Sequence, residues 1–264
     1  MTQHGSGWLK WLPPARSAAP TTLLLLPHAG GSAHAFVPWV RRFPASIRVA
    51  AVEYPGHGAR HREQLPVAPD ELIEALLAVV LAEIDGPLVV LGHSLGAILG
   101  FELAWRLESA EYPLAGFVAS GARAPHRYSA DPGWLHLLSG DHLAEELHRR
   151  GDIPDEVLHD KELREFLMPV IRNDLALAAR YQFGPQTRRL RCRVSVIGGD
   201  SDAAVSVPDL DAWREVAVRP PGMHVIPGGH FYYLDRLDAV VRAVHDVLPE
   251  SESGVPGPAI VAER

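Results

Sequence analysis

A chain of 264 residues with 47% hydrophobic content can bury one sizeable core, and α/β proteins of this length often form a single domain. Its net charge of -7 supplies no overall basic field for gathering phosphates, which argues against nucleic acid as a partner. The single cysteine, Cys192, cannot close a disulfide within the chain and lies beside the apolar run Arg193 to Ile197, where a passive buried role is expected.

Residues 1–20 and 249–264 are rich in Pro, Gly, Ser and Ala, show no period, and are expected to be mobile tails around a domain at 21–248. Near Lys10 and Arg16 there is no apolar stretch long enough for a signal-peptide core, and Leu23 to Leu26 is too short to span a bilayer. The expectation is a cytoplasmic protein with no membrane association.

Strands are predicted at Thr22 to Pro27, Arg48 to Tyr54, Pro87 to Gly92, Leu114 to Gly121, Arg193 to Gly199 and Met223 to Pro227. Most are short, continuous and rich in Val, Ile or Leu, as in a parallel sheet covered on both faces. Between the second and third, Leu72, Leu76, Val80 and Ile84 recur at helical spacing, with Asp70 and Glu71 in the first turn and Gly86 just beyond. The last helix has Leu234, Leu237, Val241, Val244 and Leu248 on one side. From about 125 to 184 only helical signals occur, with Pro169 interrupting the longest. Such an insertion lies outside the sheet at its carboxyl end, where open α/β sheets bind ligands, and is expected to form a lid.

Gly92-His93-Ser94-Leu95-Gly96 follows a strand directly and opens a helix-like segment. This is the strand, sharp turn and helix of a nucleophile elbow, in which small residues on either side let the Ser94 hydroxyl project over the sheet. Serine needs a base to take its proton. Of 14 histidines, His93 adjoins the serine but its side chain should leave the turn in another direction. His28 and His34 lie near the first strand, and His57 and His61 have a spacing that resembles a metal pair; with no acidic or cysteine ligand set to complete it, solvated loop histidines are expected. His230 follows Pro227-Gly228-Gly229 after the last strand, where a loop at the sheet's carboxyl edge returns to the elbow.

Acyl transfer at such a serine needs donors for an oxyanion. One is the backbone N–H of Leu95, next after the nucleophile. Pro27-His28-Ala29-Gly30-Gly31 fits the second, because two glycines let that backbone approach and the Ala29 N–H can point inward. The chain order Ser, acid, His matches α/β-hydrolases. The acid is expected from Gly199 to Val205, which offers Asp200 and Asp202. Resemblance to the Gly-x-x-Asp-x-x-Val turn of that fold points to Asp202 and leaves Asp200 as a turn residue, though nothing else in the sequence excludes the exchange.

These segments, with Tyr54 to Arg60, Gly198-Gly199-Asp200, Trp213 and Pro227 to Phe231, resemble the type II thioesterases of polyketide and nonribosomal peptide synthesis, from about Leu23 to Leu248. The resemblance implies an α/β-hydrolase fold: a mostly parallel central sheet flanked by helices, with a helical lid insertion. It implies hydrolysis of acyl thioesters from the phosphopantetheine arms of acyl or peptidyl carrier proteins. The catalytic roles fall on Ser94, Asp202 and His230, with Ala29 and Leu95 as oxyanion donors and no metal or cofactor. His57 departs from the arginine expected in the Pro-Gly-x-Gly turn. Carrier proteins are generally acidic, and Arg41, Arg42, Arg60, Arg62, Arg149 and Arg150 are either a docking rim or solvated surface arginines. An esterase, lipase, peptidase or acyl-CoA thioesterase on the same fold would share the triad; a non-enzymatic binding module would not need it.

Overall fold

The computed structural model describes residues 6–13, 19–130, 133–184 and 188–248. Among these, seven strands form one sheet: β1 (Leu9–Trp11), β2 (Thr21–Leu26), β3 (Ile47–Val52), β4 (Leu88–His93), β5 (Leu114–Ser120), β6 (Arg193–Gly199) and β7 (Gly222–Ile226). The order across the sheet is β1-β3-β2-β4-β5-β6-β7, and every pairing is parallel except β1 with β3. The chain runs from β2 outward to β3 and then returns to place β4 on the other side of β2. This reversal opens a crevice at the carboxyl ends of β2 and β4, the usual ligand position in an open α/β sheet.

β2 shows why the strands read as unbroken apolar runs. Side chains alternate across a strand, so Leu23 and Leu25 pack with Phe36, Trp39 and Val240 on one face. Leu24 and Leu26 pack on the other with Leu72 and Leu76 of α1 (Pro69–Glu83) and Leu99 and Leu103 of α2 (Leu95–Ser109). With both faces buried, each leucine contributes about 1.5–3 kcal/mol, and none can be polar. α1 begins with Pro69 at its first turn, beside Asp70 and Glu71, and buries Leu72, Leu76 and Val80 as its spacing predicts.

Residues 9–11 fall within the expected N-terminal tail, yet Leu9 to Trp11 pairs with Val52 to Ala50. Three residues are too few to show a period; the open edge of β3 recruits them, and the Arg48 guanidinium lies 4.8 Å over the Trp11 ring. The expected tail at 249–264 lies outside the described residues. At the other end of the fold, the closing helix α8 spans only Leu237–His245. Leu234 falls in a short 3₁₀ turn and is 75% exposed, while Ala239, Val240, Ala243 and Val244 carry the buried face.

Between β5 and β6 lie α3 (Pro125–Ala130), α4 (Gly140–Arg149), α5 (Asp155–His159) and α6 (Lys161–Arg180), with no strand among the described residues of this stretch. Leu143, Leu147, Ile153, Val157, Met168 and Ile171 give it a small core of its own. Contrary to the expected interruption, α6 runs through Pro169 for 20 residues. Pro169 lies on the exposed side, where the carbonyl that loses its helical donor faces solvent and the ring meets no packed neighbour across the helix. Beyond β6, α7 (Val207–Asp211) starts with a capping box between Ser206 and Asp209. Trp213 is fully buried and its indole N–H donates to the Ala122 carbonyl at 2.9 Å, pinning the start of the insertion to the sheet.

Candidate active site

β4 ends at His93 and α2 begins at Leu95, so Ser94 alone makes the turn. Its φ of 55 and ψ of -118 are sparsely populated for a residue with a side chain, a strain on the order of 1–3 kcal/mol. Two bonds hold it there: the Ser94 N–H donates to the Ser120 carbonyl at 2.8 Å, and the Ala97 N–H donates to the Ser94 carbonyl at 2.9 Å. The flanking glycines are forced by contact. A Cβ on Gly92 would lie 1.9 Å from the Gly96 carbonyl oxygen, and one on Gly96 would lie 2.2 Å from that of Leu26. The Ser94 side chain is thereby presented at the N-terminus of a 15-residue helix.

His230 and Asp202 come from the loops after β7 and β6. Nδ1 of His230 is 2.7 Å from Oδ2 of Asp202, and their side chains are 11% and 1% exposed. The other carboxylate oxygen of Asp202 accepts the N–H groups of Ala204 and Val205 at 2.8 and 3.2 Å. Asp200 faces elsewhere: it accepts from the Gly228 N–H and the Ser201 hydroxyl, which hold its carboxyl below the usual range. Burial by itself would depress the His230 pKa, but the Asp202 hydrogen bond and charge, helped by Asp152, outweigh it, and the net shift is upward. Ser94 and His230 line one cavity of about 450 Å³. Among the described residues no hydrogen bond joins the Ser94 hydroxyl to His230.

Two other imidazoles surround the pair. His93 points into the core, fully buried, with Nδ1 2.8 Å from the Ser120 hydroxyl, which is itself 2.5 Å from the Tyr232 hydroxyl. Its ring lies 4.9 Å from that of His230. His28 stacks edge-on against Phe231 at 4.9 Å. Burial, followed by the charge of His230, lowers the His28 pKa to about 4 and that of His93 well below its ordinary value. Of these three rings, only His230 has a carboxylate partner that favours the proton.

Ala29 and Gly30 follow β2 and line the same cavity as Ser94. Among the described residues no intramolecular acceptor takes the N–H of Ala29 or of Leu95. The far wall comes from the insertion: Leu147, Ile153, Val157, Leu167 and Ile171 supply apolar surface, with Tyr128, His136, Arg150 and Asp152 adding polar groups. Burial pushes the Asp152 carboxyl up.

His57 and His61 do not share an environment. His61 is exposed as expected, but His57 is buried, and its Nε2 lies 2.8 Å from Oδ2 of Asp174, both side chains being 1% exposed. The expectation of a solvated His57 is therefore corrected: its acidic partner comes from 117 positions away on α6. Only the departure from arginine in the Pro-Gly-x-Gly turn marked that position in the sequence. Cys192 is half-buried, and burial followed by the charge of Glu108 pushes its thiol up, which makes it a poor nucleophile.

The arginines divide in a similar way. Arg41 and Arg62 are exposed, and Arg42 makes an exposed 2.8 Å pair with Asp238. Arg60 is 10% exposed, stacked over Trp8 at 4.3 Å and donating to the Glu53 carbonyl. Arg149 and Arg150 converge on Glu146, and Arg150 faces the cavity. Arg60 and Arg150 thus brace the fold and are not available for a surface rim. Among the described residues no helix is long and apolar enough to cross a membrane.

The geometry can be set beside known proteins. A probable cadicidin biosynthesis thioesterase of Streptomyces griseus is 34% identical over 243 residues, which cover 91% of this chain and 66% of that protein. The gramicidin S biosynthesis protein GrsT of Aneurinibacillus migulanus is 34% identical over 227 residues, covering 84% of this chain and 88% of its own length. The structure of the type II thioesterase BorB from the borrelidin biosynthetic cluster matches with a TM-score of 0.84 at 36% identity, covering 93% of this chain and 99% of that one. The thioesterase domain model matches residues 21–248, the stretch that contains the elbow, both loops and the helical insertion. The chain belongs to the thioesterase domain family.

Proposed function

We propose that this protein hydrolyses acyl thioesters carried on the phosphopantetheine arms of acyl or peptidyl carrier proteins, removing aberrant or stalled groups from a polyketide or nonribosomal peptide synthase. The observation that carries the mechanism is the 2.7 Å contact of His230 with Asp202 on the cavity that also holds Ser94. Similarity to thioesterases named for such pathways supports the substrate class. The partner is a carrier protein, which implies a cytoplasmic setting.

In this reading Ser94 Oγ forms a bond to the thioester carbonyl carbon while Nε2 of His230 takes the hydroxyl proton. Asp202 holds the imidazole by its Nδ1–H and stabilises the imidazolium. The carbonyl oxygen becomes an oxyanion, met by the N–H groups of Ala29 and Leu95. Collapse breaks the C–S bond, and the departing sulfur recovers the proton from His230. Water then attacks the acyl-serine, giving its proton to His230; the second collapse breaks the C–Oγ bond, returns that proton to Ser94 and releases a carboxylic acid. The insertion at about 125–184 acts as the lid, its apolar wall taking the acyl chain.

The test compares one acyl group as a carrier-bound thioester and as a matched oxygen ester. Faster turnover of the carrier thioester supports the proposal, and a preference for the ester points to a general esterase. Failure to react with a fluorophosphonate would favour a binding module.

A further inference from the structure

Asp174 lies on α6, inside the helical insertion, and one of its oxygens serves two distant parts of the chain. Oδ2 accepts the Gly30 N–H at 2.8 Å and lies 2.8 Å from Nε2 of His57. The ring is fixed from its other side, where Nδ1 is 3.0 Å from the Pro55 carbonyl, a group that can only accept. With an acceptor on each side, both contacts are hydrogen bonds to the ring only when His57 carries both ring protons, the imidazolium form that pairs as an ion with the Asp174 carboxylate.

Three further contacts surround this junction. Gly30 has φ +75 and packs so closely on α6 that a Cβ there would lie 2.3 Å from Cγ1 of Ile171. The Tyr54 ring meets His57 edge-on at 5.6 Å, and its hydroxyl donates to the Pro27 carbonyl at 3.5 Å. The loop at Pro27 to Gly31 is thus held at both ends, by Tyr54 and by Asp174. The Ala29 N–H lies in the His28–Ala29 peptide plane, whose carbonyl accepts the Gly31 N–H at 2.9 Å. With the next plane anchored through the Gly30 N–H, only the φ and ψ of Ala29 separate two tethered peptides, and the turn limits how far the Ala29 N–H can swing. Buried ion pairs add little net stability, so what this one supplies is placement.

We propose that Asp174, held by His57, is a positioning residue that grips the Gly30 N–H, aims the Ala29 N–H at the oxyanion, and completes that site only when α6 is seated. The inference rests on reading Ala29 as an oxyanion donor. It adds a link between the insertion and the chemistry: substrate that seats α6 also assembles the donor.

The groups facing the imidazole are Asp174 from α6, Glu53 and Tyr54 from the end of β3, and His28 from the loop after β2. Burial opposes the His57 charge, but the Asp174 bond and charge, the Pro55 carbonyl and Glu53 together hold its pKa above 6.5. Raising the pH through that value removes the proton and loosens the grip on Asp174.

The test measures steady-state kinetics on an acyl-carrier thioester together with amide hydrogen exchange over residues 28–31, in the wild type, Asp174→Asn and His57→Gln. Asp174→Asn, nearly isosteric, is expected to lower kcat roughly 10- to 100-fold with KM within about twofold, as for a misplaced catalytic group, and to speed exchange. The wild type is expected to lose kcat on the alkaline side as His57 deprotonates, and His57→Gln, which donates to Asp174 at every pH, is expected to lack that fall. Unchanged kcat and exchange in folded Asp174→Asn, or an alkaline limb that persists in His57→Gln, overturns the proposal. Should Asp174→Asn fail to fold, the His57→Gln profile decides. A wild type without thioesterase activity whose loop exchange still responds to Asp174→Asn would refute the functional reading and leave the positioning role standing.

Discussion

Asp202 reaches Nδ1 of His230 at 2.7 Å, whereas Asp200, two positions earlier, spends its carboxylate on the Gly228 N–H and the Ser201 hydroxyl. The two acids therefore have separable consequences. Asp202→Asn is expected to lower kcat roughly 10³- to 10⁴-fold, because the amide no longer stabilises the imidazolium or enforces its tautomer. Asp200→Asn is expected to cost less than about tenfold, through slackening of the Gly228 turn. Parallel kinetics of the two variants check this; equal losses, or a larger loss at Asp200, would contradict it.

The rate should rise with pH on its acid side. As the proposed base His230 acts only when neutral, and burial, which lowers its pKa, is outweighed by Asp202 and Asp152. The acid-limb midpoint of kcat/KM is expected above 6.5, and Asp152→Asn should move it downward by removing a charge that favours the proton. The same upward shift has a stability consequence. Since the unfolded pKa is about 6.5, the contribution is complete below that value and is lost as pH climbs through the folded pKa. Melting temperatures measured upward from pH 6.5 should fall, and fall less in Asp202→Asn.

At the elbow, close contact leaves no room for a methyl group. Gly92→Ala and Gly96→Ala each drive a Cβ to 1.9 or 2.2 Å of a backbone carbonyl oxygen, and backbone cannot yield as a flexible side chain does. Each is expected to destabilise by at least about 1–3 kcal/mol, the usual cost of overpacking, and to reduce turnover further by displacing Ser94. Denaturant midpoints with matched kinetics measure both effects.

The parts of this molecule that were legible in advance are those whose cause is local. β2 and β4 are buried on both faces, so their residues had to be continuous and apolar; the elbow is a five-residue steric solution, so Gly92, Ser94 and Gly96 announce it. The choice between Asp200 and Asp202 depends on which carboxylate the loop turns toward His230, and both occupy one short turn. The edge strand Leu9–Trp11 draws its pairing from β3, and the persistence of α6 through Pro169 depends on which side faces water. His57 and Asp174 are 117 positions apart, so no window on the sequence shows that one neutralises the other. Leu234 had the right spacing for a helix that begins only after it.

The most direct test of the catalytic assignment is steady-state hydrolysis of an acyl-carrier thioester by Ser94→Ala, with the melting temperature recorded to establish folding. Loss of turnover to the uncatalysed background in a folded protein is the expected result. Retained steady-state hydrolysis in that variant would contradict it.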